Sequence, residues 1–599
     1  MGTWGELTAE AVAERAVPRT PRLSPDGRWV VYTLDSGLWL APADGSAPPR
    51  QLVAGTAEQP RWARDSGSVF FRSERAQLHR IGLADAESGQ LTDRPGGVSD
   101  HVPLTGSVVL VAPADDEPSG PRVRSVRADG SRAAWDTRAR PDRLWLLDLR
   151  TGVTSPLGDL GARHVCEVAA RPDGGALAVL TWSCADREPG VFEPGLHVVD
   201  LATGETRDLP TPPLEATAPT WWHDGSRWHL AHLGLTPPGL IGGTAVFDDG
   251  ENLTAALDSC PTALAQVDDG PPLALFAEGL DTTVRRLDPA TRRFTEVTQA
   301  RGHLSALDAS GETITVVVST ATETDDVHAG PAAGPWTRLS HAAPELDGIR
   351  WGAQERLHYR AADGLALDGV LVLPPGKTRA DGPFPLVTLI HGGPADRYSD
   401  RLNLAWYPSG QWLAAAGFAV FLPNPRGSVG HGHAFAASVA GDVGGAEFTD
   451  VLTGIDLLVS EGVADETRLG IGGGSHGGFF AAWAVTQTDR FAAAVVHAGV
   501  IDWPMLAATG DHSRFEAALG GRENSPSTHA HRIRTPVLIM HGEDDTNVPL
   551  AQAELLHRAL AGKHHEFVVY PGEGHSIRGR EHRIDALNRA RAWFSDLLA

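Results

Sequence analysis

From residue 24 onward the chain repeats a two-part phrase. A turn built on aspartate and glycine leads into one apolar run, and a second apolar run ends in a second turn. Ser24-Pro25-Asp26-Gly27 precedes Trp29-Val30-Val31-Tyr32, and Leu38-Trp39-Leu40 runs on to Asp44-Gly45. The phrase returns at Asp65-Ser66-Gly67, Pro172-Asp173-Gly174, His223-Asp224-Gly225 and Ala309-Ser310-Gly311. Strand-only repeats of roughly 40 to 50 residues are the mark of four-stranded blades set in a ring. Two intervals are of double length, and weaker apolar runs at 107–112 and 273–277 fill them. The fold expected of this half is a seven-bladed β-propeller. Ahead of it, residues 7–16 carry a short helical pattern with Thr8 as its cap and Pro18 beyond its end.

Near residue 346 the repeat stops. A hairpin pattern at 357–373 is followed by apolar runs that alternate with helical ones: 385–390, 410–416, 418–422, 448–460, 492–496, 536–540, 550–561, 566–570 and a final helix from Glu581. Strands alternating with helices predict a mostly parallel, doubly wound sheet. We therefore expect an N-terminal helical arm over 1–18, a propeller domain over 19–345 and a second, α/β domain over 346–599.

The chemistry centres on Gly473-Gly474-Ser475-His476-Gly477, which lies between an apolar run and an apolar helix. Strand, tight turn and helix are the setting of a nucleophile elbow, in which the serine sits in strained backbone with its Oγ projecting. The same residues also spell Gly472-x-Gly474-x-x-Gly477, a dinucleotide fingerprint. That motif needs an acidic residue closing the next strand. Asp489 instead precedes the next apolar run.

Downstream residues favour the elbow. A serine nucleophile needs a histidine base, oriented in turn by a carboxylate, and hydrolases of this type supply them in the order serine, acid, histidine at strand ends. The run 537–540 empties into His541-Gly542-Glu543-Asp544-Asp545, and 567–570 into Pro571-Gly572-Glu573-Gly574-His575. Ser475, Asp545 and His575 are the expected triad, with Glu543 and Asp544 lying beside the acid. An oxyanion also needs fixed donors. The backbone N–H of His476 is one, and Gly393 in His391-Gly392-Gly393-Pro394 supplies the other.

Composition narrows the partners. A formal charge of −24 argues against nucleic acid as a partner, because binding to phosphates needs basic patches. Cys166, Cys184 and Cys260 form no C-x-x-C pair, and no run approaches 18 apolar residues, so neither a disulfide framework nor a membrane span is expected. The first residues hold acidic side chains and no apolar leader, and a cytoplasmic location is expected. His431-x-His433 and His564-His565 lack carboxylates or cysteines at metal-binding spacing, so no metal is expected. Trp503 and Phe515 serve either as pocket lining or as core.

Taken together, His391-Gly-Gly-Pro394, Asn424-Pro-Arg-Gly-Ser428-x-Gly430-x-Gly432, Gly473-Gly-Ser475-x-Gly-Gly, His541-Gly-Glu-x-Asp545-x-x-Val-Pro549 and Gly572-Glu-Gly-His575 resemble the prolyl oligopeptidase family of serine peptidases. The acylaminoacyl-peptidase and dipeptidyl-peptidase branches are nearest. The resemblance implies a propeller capping an α/β-hydrolase, hydrolysis of short peptides or acyl-peptides, exclusion of folded proteins, and no cofactor. It gives Asn547 the position of a substrate-binding asparagine; a turn residue is the other reading. His391 stands where some branches carry an oxyanion tyrosine, which favours the acylaminoacyl pattern. No Glu-Glu pair of the kind that grips a free peptide N-terminus is seen in the propeller. Two alternatives stay open: a biosynthetic amidase, esterase or macrocyclase on the same scaffold, and a propeller binding protein whose hydrolase is vestigial. Assembly into homo-oligomers is also left open.

Overall fold

A computed structural model describes residues 5–84, 87–114, 140–236, 239–404 and 409–599. Seven four-stranded antiparallel sheets occupy residues 19–53, 58–90, 100–156, 164–208, 217–252, 260–300 and 303–338, each with its strands side by side in chain order. These are blades one to seven. The repeated aspartate explains the repeated turn. Asp65, Asp173 and Asp224 each accept, through Oδ1, the backbone N–H two residues on, at 2.9, 2.8 and 2.7 Å. Such Asx turns reverse the chain without help from the rest of the fold.

The apolar side chains lie between blades rather than within them. Val31, Leu38 and Leu40 of blade one pack with Trp62, Val69 and Phe71 of blade two, and the same pattern recurs around the ring. Leu23, Val30 and Tyr32 of blade one meet Val317, Val327 and Ala329 of blade seven, which closes it. Among the described residues no strand crosses that seam. It is supplemented by Asp308, which accepts from the Leu23 amide at 2.8 Å and from Arg22 at 3.2 Å.

The remaining chain builds an eight-stranded sheet from β1 (Gln354–Arg360), β2 (Ala366–Val372), β3 (Phe384–Ile390), β4 (Ala419–Asn424), β5 (Ala464–Gly474), β6 (Ala493–His497), β7 (Val537–Gly542) and β8 (His565–Tyr570), in the order β1-β2-β4-β3-β5-β6-β7-β8. The β1–β2 and β2–β4 pairs are antiparallel, and all others are parallel. Residues alternate between two cores with the strand period of two. Val537 and Ile539 enter one core, with Phe479, Val451 and Leu556. Leu538 and Met540 enter the other, with Trp412 and Phe594.

The helices that supply these faces are α1 (Ala9–Glu14), α2 (Gly410–Ala414), α3 (Ala446–Ser460), α4 (His476–Gln487), α5 (Trp503–Thr509), α6 (Ser513–Leu519), α7 (Ala551–Ala559) and α8 (Arg580–Leu597). The sequence pattern did not announce α5 and α6. Each is seven residues long and ends at a glycine, Gly510 or Gly520, too short for a helical period to stand out. Among the described residues no helix is long and apolar enough to cross a membrane.

Ring and sheet are tied at several points. Helix α1, capped by Thr8 as its sequence predicts, packs in the core of α8, and Gly5 bridges Ile349 where the chain leaves the propeller. On β1, Arg356 donates to both oxygens of Asp281 in blade six and to the buried Asp400, at 2.5 to 2.8 Å.

Candidate active site

At the carboxyl end of β5 the chain turns through Ser475, whose φ of 58° and ψ of −120° no ordinary L-residue favours. Its amide donates to the His497 carbonyl at 3.0 Å, which pins the turn to the next strand. The flanking glycines are required by contact. A Cβ on Gly473 would strike the backbone of Gly477, and one on Gly477 would strike the Ile390 carbonyl oxygen. Helix α4 begins at His476, so the first amides of the helix have no partner within it and the positive end of its dipole faces the serine. The His476 ring lies buried, 3.3 Å from Glu447 Oε2.

Two strands further along the sheet, β7 ends ahead of Asp545, and β8 ends ahead of His575. Asp545 Oδ1 accepts the amides of Asn547 and Val548 at 3.0 and 2.9 Å. Its Oδ2 lies 2.8 Å from His575 Nδ1. The neighbouring Glu543 turns elsewhere, toward the Gly572 amide. Burial opposes the charge on Asp545, but hydrogen bonds from His541 and His575 outweigh it and hold the carboxyl well below its ordinary range. The ring of His575 thus has one nitrogen fixed on a permanent anion. No hydrogen bond joins its ring to the Ser475 hydroxyl in this conformation.

His391-Gly392-Gly393-Pro394 runs beside the serine, with the Gly392 α-carbon facing Ser475 Cβ. Gly393 has φ of 115°, a conformation left to glycine, and stands with Ser475 and His476 at the edge of one cavity. His391 itself is buried and reaches the Ser428 hydroxyl at 2.9 Å, binding this loop to the one at 424–432.

That cavity, about 210 Å³, lies between ring and sheet. Trp503, Leu506, Phe515 and Leu519 of α5 and α6 form its apolar wall, so both aromatic residues that the sequence left undecided line it. Asn547 lines it too. Arg187 and Glu215 of the propeller, 3.4 Å apart, close it on the other side. Glu516 was missed by sequence reasoning because nothing in the local pattern marks it. It lines the same cavity, buried, with Oε2 unpaired. Burial, together with repulsion from Glu188 and Asp511, pushes its carboxyl up to about 8.

The histidine pairs have ordinary partners: His431 meets Asp368 at 3.1 Å, and His565 meets His557 at 2.8 Å. Among the described residues one trio could surround a cation, His229, Asp248 and Asp249 of blade five. Arg292 and Arg227 already pair with its two carboxylates at 2.9 and 2.8 Å.

Comparison with known proteins agrees with this fold. Residues 407–599 match the prolyl oligopeptidase family. An uncharacterized peptidase of Bacillus subtilis is 36% identical over 261 residues, which span 41% of this chain and 39% of that protein's length. The dipeptidyl aminopeptidase BIII of Pseudoxanthomonas mexicana is 28% identical over 93% of this chain and 83% of its own. The solved acylaminoacyl peptidase of Pyrococcus horikoshii superposes with a TM-score of 0.80 at 20% identity, covering 100% of this chain and 98% of that one, a likeness of fold. The chain carries a prolyl oligopeptidase-like hydrolase under a seven-bladed propeller, and it is residues 407–599 of that hydrolase that match the prolyl oligopeptidase family.

Proposed function

We propose that this protein is a serine peptidase that hydrolyses short peptides or acyl-peptides through an acyl-enzyme on Ser475, within a catalytic unit over 346–599. Ser475 Oγ attacks the scissile carbonyl while His575 takes its proton. The imidazolium so formed is stabilised by Asp545 and then protonates the leaving amine. The amides of Gly393 and His476 hold the oxyanion, aided by the positive end of α4. Water, activated by His575, releases the acyl group. Asn547 contacts the substrate backbone from the cavity edge.

The observation that carries this reading is the Asp545–His575 pair, 2.8 Å apart, on the same sheet rim as a serine held at φ 58°. An unengaged serine does not count against it, since such contacts are often loose without substrate and tighten when it binds. The propeller, set over the cavity, favours small and flexible substrates. The names of the relatives, acylaminoacyl peptidase and dipeptidyl aminopeptidase, support peptides as the substrate class.

Fluorophosphonate labelling of wild type and Ser475→Ala tests the assignment, followed by acyl-aminoacyl, dipeptidyl and ester substrates. Labelling should vanish in the variant, and turnover should fall about a millionfold. Labelling that survives the substitution would overturn the nucleophile, and activity on esters alone would overturn the peptidase.

A further inference from the structure

Glu516 presents a problem that the reaction does not solve. The residue is only 5% exposed, and it lines the cavity that opens at Ser475. Oε2 has no hydrogen-bond partner. A buried carboxylate without a partner is costly, so such a group is retained in one of two ways: it stays neutral, or something charged completes it.

The surroundings point to the second. Gly510, which has no Cβ, leaves room for the carboxylate. A Cβ there would lie 2.6 and 2.9 Å from the two Glu516 oxygens and 2.9 Å from the Asn547 carbonyl oxygen. Both carboxylate oxygens thus pack against the Gly510 α-carbon beside the Asn547 carbonyl oxygen, and the His512 backbone N–H reaches the carboxyl but leaves Oε2 without a partner. The nearby cations are engaged elsewhere. Arg187 donates to His512 at 3.1 Å and pairs with Glu215. Arg514 stacks on Phe192, 4.7 Å from its ring centre. Glu188 is committed to Ser513. What completes Oε2 from the cavity is a group with several N–H donors, an ammonium or guanidinium, on an apolar stem that can lie against Trp503, Leu506 and Phe515.

The direction of entry follows from the lining. Ser475 and His476 border the cavity, whereas His575, which must hand a proton to the leaving amine, is not among its lining residues. The leaving group therefore lies outside, and the cavity holds the acyl side. Resting on the peptidase reading above, we propose that Glu516 is a specificity-determining residue, the counter-ion for a lysine or arginine side chain on the residue whose carbonyl Ser475 attacks. The raised carboxyl is consistent with this, because an anion that waits for its cation is one that burial protonates in the empty site.

The test compares N-acylated anilides ending in lysine, arginine, norleucine or leucine, cleaved by wild type and by Glu516→Gln. Wild type should prefer the cationic substrates. The variant should lose about 100-fold in kcat/KM on these and retain its rate on norleucine and leucine. An unchanged rate of fluorophosphonate labelling and an unlowered melting temperature show that the variant is folded. A second set with free N-termini locates the cation. If the variant is impaired only on these, whatever the side chain, the partner is the peptide's α-ammonium and the side-chain proposal is overturned. Equal rates on lysine and norleucine in wild type also overturn it, leaving Glu516 as a carboxyl group that stays protonated. Calorimetric titration with agmatine needs no turnover, so it separates this proposal from the peptidase reading: wild type should bind and Glu516→Gln should not. Absence of binding to wild type counts against the subsite even if every peptide is cleaved.

Discussion

Glu188, in the loop between the second and third strands of blade four, accepts both the amide and the hydroxyl proton of Ser513, at 2.6 and 2.8 Å. One propeller carboxylate thus holds the first turn of the helix that carries Phe515 and Glu516, 325 residues away in the chain. Hydrogen bonds to a charged group contribute about 1.5–3 kcal/mol each, and here they fix a cavity wall rather than the reacting atoms. Glu188→Ala should therefore raise KM with kcat little changed, lowering kcat/KM by about tenfold. Steady-state kinetics on one acyl-peptide substrate checks this, and a loss confined to kcat would contradict it.

The backbone at Ser475 stores strain, because φ of 58° with ψ of −120° is a region left to glycine. Ser475→Ala removes the hydroxyl and keeps the strain, whereas Ser475→Gly removes both. The glycine variant should be the more stable of the two by about 1 kcal/mol or more, against the usual direction for glycine. Paired urea titrations followed by tryptophan fluorescence measure the difference. An alanine variant as stable as glycine would show that the turn carries no strain.

Asp545 accepts two backbone amides on one oxygen and His575 on the other. Asp545→Asn keeps the shape of the site, but its amide cannot hold the imidazole with the proton on Nδ1 and the lone pair toward serine. Turnover should fall about ten-thousandfold, with substrate affinity nearly unchanged. Pre-steady-state acylation rates and inhibitor binding separate the two effects.

The carboxyl of Glu516, raised from 4.5 to about 8, makes a prediction for stability as well as for selectivity. Between those values the folded chain holds a proton that the unfolded chain has released, so this group's contribution to stability falls as pH rises from about 4.5 to 8 and is level outside that range. Glu516→Gln removes the titration. Its stability relative to wild type should increase with pH across this window, as read from melting temperatures at a series of pH values. A difference that does not vary with pH would contradict a raised carboxyl at this position.

The ring and the sheet were legible because their signals are local. An aspartate that closes its own turn marks a blade wherever it stands, and the runs at 537–540 and 567–570 point to Asp545 and His575 because parallel strands deliver their ends to one rim. Blades three and six were harder. Their apolar runs, which form the strands Ser107–Pro113 and Gly270–Glu278, are weaker signals because their turns depart from the repeated phrase. The contacts between ring and sheet left no trace in the sequence. Glu188, Arg187 and Glu516 acquire their meaning when blade four docks on α6, and neither periodicity nor composition records which distant surfaces will meet.

The pairing of Gly5 with Ile349 has one more implication. The ring is strung between two points of the chain that lie side by side on the hydrolase, and among the described residues no strand of any blade is borrowed from beyond them. Architecturally the propeller is a cassette on a host that it enters and leaves through a single doorway. A ring with more or fewer blades could be exchanged for this one without rethreading the sheet beneath, provided that its own loops recreate the grip that Glu188 has on Ser513.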